Sequence, residues 1–494
     1  MMRVCVSVMS RPFLLRSGVG RALVLPTCIR RICQKTTVPK AVGANPEADP
    51  AIDIVQHITE RGLLKEITDG SDLATELRDG LKTTIYCGAD PTAKSLHIGN
   101  LVPLLGMLHF GIRGHDMIGL IGGATVEVGD PSGRTTERKE MESEVRVSNQ
   151  DLITKQMHGV LVNAIEYARS KGYTTIGNLA FVNNAEWWKP MTFLQFMTMI
   201  GRHLRVQDML RRQSVQSRIT SESGIGFNEF SYQALQAYDF FHLYSTHGCR
   251  IQVGGSDQYG NIVCGVDLTQ RLQHARGLEK KQIYGITTPL LTTAVGEKLG
   301  KSAGNAVWLD PNLTSPFELY QYFVRLADAD VEKYLRILTL VPLPEIEAIV
   351  GEHNKDPSLR FGQHALANEV TDLVHGIGFG AKARVQSGIL YSTPADGTEY
   401  SADEIIEAFK DDSHLIRLPR ESVVYQRVPH VIKLLTNLSI KAGKSLLTSG
   451  GVYAGPKLIQ LNLAHTFVDP DWLIDNKLLL FRLGKADMKI IVLE

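Results

Sequence analysis

The sequence contains little cysteine and no long uninterrupted run of apolar residues. Its 494 residues include six cysteines, and their spacing matches neither a paired metal-ligand motif nor a disulfide framework. No apolar run reaches the roughly 18 residues that a membrane-spanning helix requires. These absences predict reduced thiols, no structural metal and no membrane partner.

Acidic residues are absent from the first 46 positions. Those positions carry eight arginines and lysines, and the first acid is Glu47. An acid-free, arginine-rich segment whose apolar stretches are interrupted by Arg11, Arg16 and Arg21 is typical of a mitochondrial transit peptide. The alternative is a disordered basic tail that binds RNA.

Length and composition allow several ordinary globular domains. Hydrophobic residues make up 44% and charged residues 21% of the chain, as in soluble proteins generally. A chain of this length buries enough apolar surface for about two to four domains.

One strand–loop–helix segment carries the strongest local signal. Residues 83–87 predict a short buried strand, residues 88–95 a polar loop, and the apolar spacing from His97 onward a helix. Amide groups at such a helix start point at a bound phosphate, and the helix dipole favours the anion. His97 and Asn100 lie on one face of the first turn, and both can donate hydrogen bonds. The alternative is a capped helix with a surface histidine.

Two further strand ends carry glycine and polar residues. The predicted strand 115–121 runs into the glycine-rich segment 122–134, in which Asp130 is expected at the strand end. Strand, helix and strand in this order predict a parallel crossover, and open α/β sheets bind ligands at the carboxyl ends of their strands. The predicted strand 249–253 ends in Gly254, Gly255, Ser256, Asp257 and Gln258. A tight turn with an Asp cap is the alternative there.

A polar stripe interrupts the predicted apolar helix of residues 228–244. Tyr232, Gln236 and Asp239 follow one another at intervals of four and three residues, which places them on one helix face. Buried polar groups need hydrogen bonds or a polar cavity. The stripe therefore predicts either a ligand pocket or a satisfied internal network.

Two other segments each leave a choice open. Residues 296–305 form a glycine-rich loop with Lys298 and Lys301, which is either a solvated turn or a mobile contact to phosphate. Residues 184–212 are rich in tryptophan, methionine and phenylalanine. They predict either domain core or, because interfaces are enriched in these residues, a dimer interface.

The C-terminal third changes character. From residue 315 the apolar pattern is helical, which predicts a separate α-helical domain, and residues 376–412 predict a connection with some helix. The last 78 residues hold 11 basic and 6 acidic residues and a strand–turn–strand signal around residues 449–457. They predict either a small RNA-binding domain or a plain α+β domain with a solvated face.

Two of these motifs carry a family resemblance. Tyr86-Cys-Gly-Ala-Asp-Pro-Thr92 followed by His97-Ile-Gly-Asn100 resembles the HIGH signature of class I aminoacyl-tRNA synthetases, in its tyrosyl branch. Lys298-Leu-Gly-Lys-Ser302 resembles the KMSKS loop, about 200 residues later and in the right order. The similarity is to bacterial-type, hence mitochondrial, tyrosyl-tRNA synthetases, and it extends from near Ile54 to the end of the chain.

The resemblance implies an α/β fold with three domains. These are a Rossmann-like parallel-sheet catalytic domain, an α-helical anticodon-binding domain and a small α+β RNA-binding C-terminal domain. The implied boundaries are residues 1–46 for the transit peptide, 47–312 for the catalytic domain, 313–412 for the helical domain with its linker, and 413–494 for the C-terminal domain.

The resemblance also implies a tyrosine–tRNA ligase of the mitochondrial matrix. It would join L-tyrosine to ATP, with Mg²⁺ carried on the nucleotide, and transfer the tyrosyl group to the 3′ end of tRNA(Tyr). The tyrosine carboxylate is already ionised, so no general base is needed, and positioning and charge stabilisation carry the catalysis. A homodimer is implied, with its interface in residues 184–212.

Site residues follow from the same resemblance. Tyr86 and Asp239 would hydrogen-bond the tyrosine phenol, and Asp90 would lie between tyrosine and ATP. The rest of the amino acid would be bound by Asp130, Tyr232 and Gln236 at its ammonium and by Gln258 near its carboxylate. The ribose and adenosine end would be held by Cys87, Gly88, Asn100, Gly255 and Asp257. The catalytic residues that meet the departing phosphates would be Thr92, His97, Arg134, Arg138, Lys298, Lys301 and Ser302.

Three positions depart from the family pattern. Asn100 replaces the second His of HIGH but can still donate a hydrogen bond, so activity is expected to be retained. Leu299-Gly300 replaces Met-Ser in the second motif, and Tyr259 stands where many bacterial relatives carry Trp.

Three rival interpretations remain. A tryptophanyl enzyme shares the fold, but the pair Tyr86 and Asp239 suits a phenol. Other HIGH-bearing nucleotidyltransferases are usually shorter. A non-catalytic RNA-binding or intron-splicing protein on a synthetase scaffold would be expected to lose phosphate-binding residues, whereas His97, Lys298 and Lys301 are present.

Overall fold

The computed structural model describes residues 45–49, 52–133, 136, 141–222, 224–292, 301–302, 305–391, 400–410, 412–436, 438–484 and 487–494. Most of the predicted transit peptide lies outside the described residues. The predicted site residues Arg134, Arg138 and Lys298 also lie outside them, and for Lys301 and Ser302 the description covers the backbone alone.

A six-stranded sheet with the order β1-β6-β5-β2-β3-β4 forms the first part of the chain. Its strands are β1 (Glu66–Ile67), β2 (Thr84–Ala89), β3 (Asp116–Ile121), β4 (Leu179–Asn183), β5 (Cys249–Gly255) and β6 (Tyr284–Thr288). All neighbours pair in parallel except β1, which is antiparallel to β6 at the edge. Ile85 and Tyr86 point to opposite faces of β2 and are both fully buried, so this central strand is covered on both sides.

Helices connect these strands. In the described residues they are α1 (Ile54–Glu60), α2 (Gly70–Arg78), α3 (Ile98–Gly111), α4 (Thr125–Val128), α5 (Ser143–Ser170), α6 (Ala185–Trp188), α7 (Phe193–Met199), α8 (Val206–Leu210), α9 (Gln213–Ile219), α10 (Phe227–His247) and α11 (Tyr259–Ala275). The predicted helix start near His97 is confirmed, because α3 begins at Ile98 with His97 as its N-cap. The predicted parallel crossover is also confirmed, since α3 connects the adjacent parallel strands β2 and β3.

The apolar segment 184–212 forms the three short helices α6, α7 and α8. Part of it is core, since Ile200 is fully buried. The outer side of α7 is not core: Phe193 is 66% exposed and Leu194 is 73% exposed. The segment is therefore partly core and partly an exposed apolar surface.

Among the described residues, six helices lie between this sheet and the C-terminal part. They are α12 (Pro316–Val324), α13 (Asp328–Leu338), α14 (Leu343–His353), α15 (Phe361–His375), α16 (Phe379–Tyr391) and α17 (Ala402–Ala408). Helix α12 begins with a capping box, in which Ser315 and Glu318 bond each other's backbone. Helix α15 packs on α5 of the sheet-containing part, where Asn163 donates to the Val374 carbonyl at 2.8 Å.

A second sheet forms the C-terminal part, with the strand order β11-β10-β12-β13-β9. The short hairpin β7 (Lys301–Ser302) and β8 (Asn305–Ala306) precedes it in the chain. The described elements of the C-terminal part are β9 (Leu415–Leu418), α18 (Val428–Leu435), α19 (Ile440–Thr448), β10 (Val452–Ala454), β11 (Ile459–Gln460), β12 (Leu478–Leu483) and β13 (Asp487–Leu493). Helices α18 and α19 pack in one core cluster with this sheet, and α17 packs in a second. The helix α17, assigned to the linker, therefore shares its core with the C-terminal sheet.

A short segment at the start of the described chain is tied into the fold. Glu47 is buried, and its carboxylate accepts from the Arg61 guanidinium at 3.1 Å and from the Leu343 backbone at 2.7 Å. Its carbonyl oxygen accepts from Arg113 at 2.9 Å. Asn45, which falls inside the predicted transit peptide, donates to the Lys171 carbonyl at 2.9 Å. This segment, residues 45–48, therefore links α1 and α3 to the start of α14.

Neither a membrane-spanning helix nor a metal-binding cluster is found in the described ranges. Among these residues, no helix is long and apolar enough to cross a membrane. The same residues contain no group of three or more His, Cys, Asp or Glu placed to hold a metal ion.

Candidate active site

Tyr86, on the central strand, presents a buried hydroxyl. Its ring packs edge-on against Phe240 with 5.3 Å between centroids, and no group in the described part of the chain hydrogen-bonds the hydroxyl. Burial and, after it, the charge of Asp239 raise the pKa of Tyr86 well above its usual range, so the hydroxyl stays protonated. An unpaired buried hydroxyl costs about 1–3 kcal/mol, which a ligand that bonds it would recover.

Asp239 on α10 is held by three hydrogen-bond donors from one short stretch. Its Oδ1 accepts from the indole nitrogens of Trp187 and Trp188, each at 2.7 Å. Its Oδ2 accepts from the Asn184 amide at 3.0 Å. Burial raises the pKa of Asp239 to about 7. The three donors act in the opposite direction and lower this pKa, while the charge of Asp90 raises it further.

The polar stripe on α10 is only partly an internal network. The Tyr232 hydroxyl donates to Asp90 Oδ2 at 2.8 Å, so two of the three stripe residues have protein partners. Gln236 is different, because its Oε1 is buried and accepts no hydrogen bond from the described residues. The network alternative therefore holds for Tyr232 and Asp239, and the ligand pocket stays a prediction.

Asp90 and Asp239 belong to one hydrogen-bonded chain. Asn184 Nδ2 donates to both Asp239 and Thr125 Oγ1 at 3.0 Å, and the Thr125 hydroxyl donates to Asp90 Oδ1 at 2.7 Å. The turn after β3 must approach closely for this, since a Cβ on Gly122 would lie 1.8 Å from Asp90 Oδ1. Glycine is therefore required at this position.

Asp130 lies in a second polar group, but the structure corrects its expected place at a strand end. Strand β3 ends at Ile121, and the short helix α4 intervenes before Gly129 turns the chain with φ 88°. Asp130 Oδ2 accepts from Gln258 Nε2 at 2.7 Å and its Oδ1 from Asn261 Nδ2 at 3.3 Å. The end of β5 is thereby brought to Asp130, as the ligand-crevice interpretation of both strand ends requires.

The two motif segments are joined through the backbone at the start of α3. His97 and Asn100 cap the helix: Gly99 N donates to His97 Nδ1 and His97 N to Asn100 Oδ1, each at 3.0 Å. Since Nδ1 accepts, the second nitrogen of a neutral His97 carries the proton and can donate. Ile98 N donates to the Val307 carbonyl at 3.0 Å, and His97 forms a bridge with Trp308. The hairpin β7–β8, which ends at Ala306, is therefore anchored beside His97.

Comparison with known proteins settles the family. The family model for class I tRNA synthetases of the W and Y type matches residues 79–391. The mitochondrial tyrosine–tRNA ligase of Saccharomyces cerevisiae is 43% identical over 459 residues, covering 92% of each chain, and that of Homo sapiens is 39% identical over 445 residues, covering 87% of this chain and 90% of the relative. A C-terminally truncated mitochondrial tyrosyl-tRNA synthetase from Aspergillus nidulans is 37% identical with a TM-score of 0.63, covering 69% of this chain and 94% of that structure.

The chain belongs to the tyrosyl-tRNA synthetase family. The family and the Rossmann-like class I fold predicted from the sequence are confirmed.

Several residues predicted for the nucleotide side of this synthetase lie at the carboxyl ends of β2 and β5. Cys87 is buried, whereas Gly88 is exposed, and the Thr92 backbone bonds the Asp90 carbonyl at 2.8 Å. Gly255 abuts Asp257, since a Cβ there would lie 2.6 Å from Asp257 Oδ1. The roles given to these residues stay predictions, as do those of Arg134, Arg138 and Lys298 outside the described ranges.

Sequence reasoning missed five polar contacts of this synthetase site. Asn184 directly follows β4, so its position after a parallel strand was a usable signal. Trp187 and Trp188 were assigned to the core or to an interface, because an aromatic sequence pattern does not show where an indole N–H group points. The remaining two are Thr125 and Asn261.

Proposed function

We propose that this chain is a tyrosine–tRNA ligase that activates L-tyrosine with ATP and transfers the tyrosyl group to tRNA(Tyr). The observation that carries this proposal is that the Tyr86 hydroxyl and the Asp239 carboxylate are buried near each other without a hydrogen bond between them. The Tyr86 hydroxyl is a donor and acceptor that no described residue hydrogen-bonds, and the Asp239 carboxylate is an acceptor surrounded by donors. A phenol hydroxyl can donate to Asp239 and accept from Tyr86, whereas phenylalanine would leave both groups unsatisfied.

The other tyrosine contacts follow from the same geometry. Asp130 and Tyr232 would bind the substrate ammonium, and Asp90, which accepts from the Tyr232 hydroxyl, would lie between tyrosine and ATP. Gln236 has an unpaired buried oxygen for an N–H donor. Gln258, held by Asp130, would lie near the substrate carboxylate.

ATP would bind between the carboxyl ends of β2 and β5. Cys87, Gly88, Asn100, Gly255 and Asp257 would hold its ribose and adenine. The triphosphate would extend to the start of α3, where the His97 side chain can donate a hydrogen bond. The remaining phosphate contacts would be Thr92, Arg134, Arg138, Lys298, Lys301 and Ser302.

Adenylate formation needs alignment more than proton transfer. The ionised substrate carboxylate attacks the α-phosphorus, and the donors around the phosphates stabilise the charge that develops as pyrophosphate leaves. Mg²⁺ would travel on the nucleotide, because Asp90, Asp130 and Asp239 already accept hydrogen bonds from neighbouring side chains.

A homodimer is part of the proposal. Its interface would be the outer side of α7 and α8, where the exposed apolar side chains are Phe193, Leu194, Met197, Met199 and Val206. Apolar and methionine-rich patches of this kind suit association of two identical subunits.

Two surfaces support tRNA binding. A cavity of about 590 Å³ in the helical part is lined by Arg325, Arg360, His364 and Arg384. On the C-terminal part, α18 and α19 carry the exposed lysines Lys433, Lys441 and Lys444. Arginine and lysine at these places can contact the phosphates of an RNA. The leader composition and the mitochondrial relatives support function in the mitochondrial matrix.

Pyrophosphate exchange on residues 45–494 tests the proposal with tyrosine, phenylalanine and tryptophan side by side. Exchange with tyrosine alone, abolished in Asp239→Ala, is expected. Exchange with tryptophan would keep the fold and overturn the substrate. Protein that binds tRNA but exchanges with no amino acid would be the non-catalytic RNA-binding scaffold instead.

A further inference from the structure

Trp188 contacts the carboxylate that the proposed function assigns to the tyrosine phenol, and no role for it follows from the sequence motifs. It is the last residue of α6, and it directly follows Trp187. Both indole nitrogens lie 2.7 Å from the same oxygen, Asp239 Oδ1. The two indole donors therefore occupy both lone-pair sites of this oxygen.

The two rings are held by different neighbours. Trp187 stacks on His242 with 4.2 Å between centroids. Trp188 meets Tyr238 edge-on at 5.3 Å and packs near Phe196 of α7 at 5.9 Å. The direction of each N–H is therefore fixed by separate packing, and the loss of one donor leaves the other in place.

The third donor on Asp239 has a fixed orientation as well. Ala124 N donates to Asn184 Oδ1 at 2.8 Å, which leaves the Asn184 Nδ2 group directed at Asp239 and Thr125. Every protein group that bonds Asp239 in the described residues is thus an N–H donor that cannot accept a proton. Hydrogen bonds donated to an ionised carboxylate are stronger than those donated to a neutral carboxyl, so this arrangement favours the carboxylate.

We propose that Trp188 is a positioning residue that, with Trp187, holds Asp239 as an oriented anionic acceptor for the substrate phenol. Three donors occupy three of the roughly four lone-pair sites of a carboxylate, and they leave one site on Oδ2 for the phenol hydroxyl. This inference rests on the proposed function of the site. It adds Trp188 as a determinant of tyrosine affinity and of the pH range over which tyrosine binds.

Other titratable groups lie on the same elements as Asp239 or interact with its charge. Tyr86 and Asp90 approach from β2, while Tyr232, Tyr238 and His242 lie on α10 itself. Burial raises the pKa of the three tyrosines above their usual value and lowers that of His242 below its usual value. These groups are the same in all the variants compared, so a difference between the variants reports on the donors to Asp239.

The test is the pH profile of the KM for tyrosine in pyrophosphate exchange, for the wild type, Trp188→Phe and Trp188→Leu. Removal of one donor is expected to move the inflection upward by about one pH unit, because the carboxylate loses part of its stabilisation. The KM would then rise about tenfold at pH 6.5 and less than about threefold at pH 8.5. The two variants differ in shape and lack the same donor, so equal shifts are expected from both.

Phe196→Leu serves as the matched control, because it changes one of the two packing contacts of Trp188, while Tyr238 still orients the indole ring and its N–H. It is expected to leave the inflection unchanged, as is the KM for ATP in every variant. A rise in tyrosine KM that is equal at all pH values, or a shift in Phe196→Leu as large as in Trp188→Phe, would overturn the proposal. If the wild type shows no exchange with tyrosine, the proposed function fails first, and that outcome is distinct from an unshifted profile.

Discussion

Asp239 and Asp90 are linked by an unbroken hydrogen-bond chain through Asn184 and Thr125. Its links measure 3.0, 3.0 and 2.7 Å. In the proposed site the two carboxylates lie at opposite ends of bound tyrosine. The Asn184 side chain therefore helps to fix the distance between the two carboxylates that would contact the substrate.

Asn184→Ala is expected to raise the KM for tyrosine by about 10- to 100-fold, because a hydrogen bond to a charged group is worth about 1.5–3 kcal/mol. The measurement is pyrophosphate exchange with tyrosine varied. Asn178→Ala is the control, since Asn178 bonds Asp116 at 2.9 Å near the other end of β3. An unchanged KM in Asn184→Ala would show that Asp239 keeps its position without the amide.

Tyr86→Phe is expected to make the protein more stable and less selective. Removing an unpaired buried hydroxyl should raise the free energy of unfolding by about 1 kcal/mol, while kcat/KM for tyrosine falls about 3- to 15-fold. Tyr232→Phe should instead lose stability, because its hydroxyl bonds Asp90 at 2.8 Å. Urea unfolding and exchange kinetics on both variants check this; the same sign of stability change in both would contradict it.

The pKa of Asp239 predicts a pH dependence of stability in the free enzyme. Burial raises it from 3.8 to about 7 in the folded state. Between these values the unfolded chain is ionised while the folded one holds a proton. This group therefore lowers the free energy of unfolding progressively as pH rises from about 4 to about 7.

Asp239→Asn removes that titration. Measured by urea unfolding, its stability relative to the wild type should improve by at least about 1 kcal/mol between pH 5 and pH 8. A difference that stays constant over this range would mean that Asp239 is ionised throughout.

Gly122→Ala is expected to disrupt the site, because its Cβ would overlap Asp90 and approach Thr125 Oγ1 to 2.5 Å. Displacing Asp90 should cost about 1–3 kcal/mol, or about 10- to 100-fold in kcat/KM for tyrosine. Gly159→Ala on α5 is the counterpart, since nothing lies within 4 Å of its Cβ. That change should keep activity and add about 0.5–1 kcal/mol of stability.

Glu47→Ala is expected to destabilise residues 45–494 by about 3–5 kcal/mol, because it leaves the buried Arg61 guanidinium without its carboxylate. Glu60→Ala, on the exposed side of α1, should change stability by less than about 0.5 kcal/mol. Thermal unfolding of both variants measures the difference. Equal unfolding midpoints would mean that the backbone carbonyls that accept from Arg61 stabilise its buried charge without the Glu47 carboxylate.

Much of the sheet and of the α3 start followed from the sequence, because local pattern and turn chemistry agree there. The stripe Tyr232, Gln236 and Asp239 was predictable for the same reason: helical spacing alone places three residues on one face. Asp130 was harder, because the short helix α4 between it and β3 has no strong local signal.

The donors around Asp239 could not be predicted in the same way. Trp187 and Trp188 are adjacent in sequence, yet both indoles reach one oxygen, because separate neighbours on α10 and α7 orient them. Such convergence depends on tertiary packing. The same applies to Glu47, whose partners Arg61 and Leu343 come from distant parts of the chain.

The burial of Glu47 also restricts where a leader can be removed. A cut after Glu47 would release the carboxylate that neutralises the buried Arg61 guanidinium. Only chains that retain Glu47 keep the contact that joins α1, α3 and the start of α14.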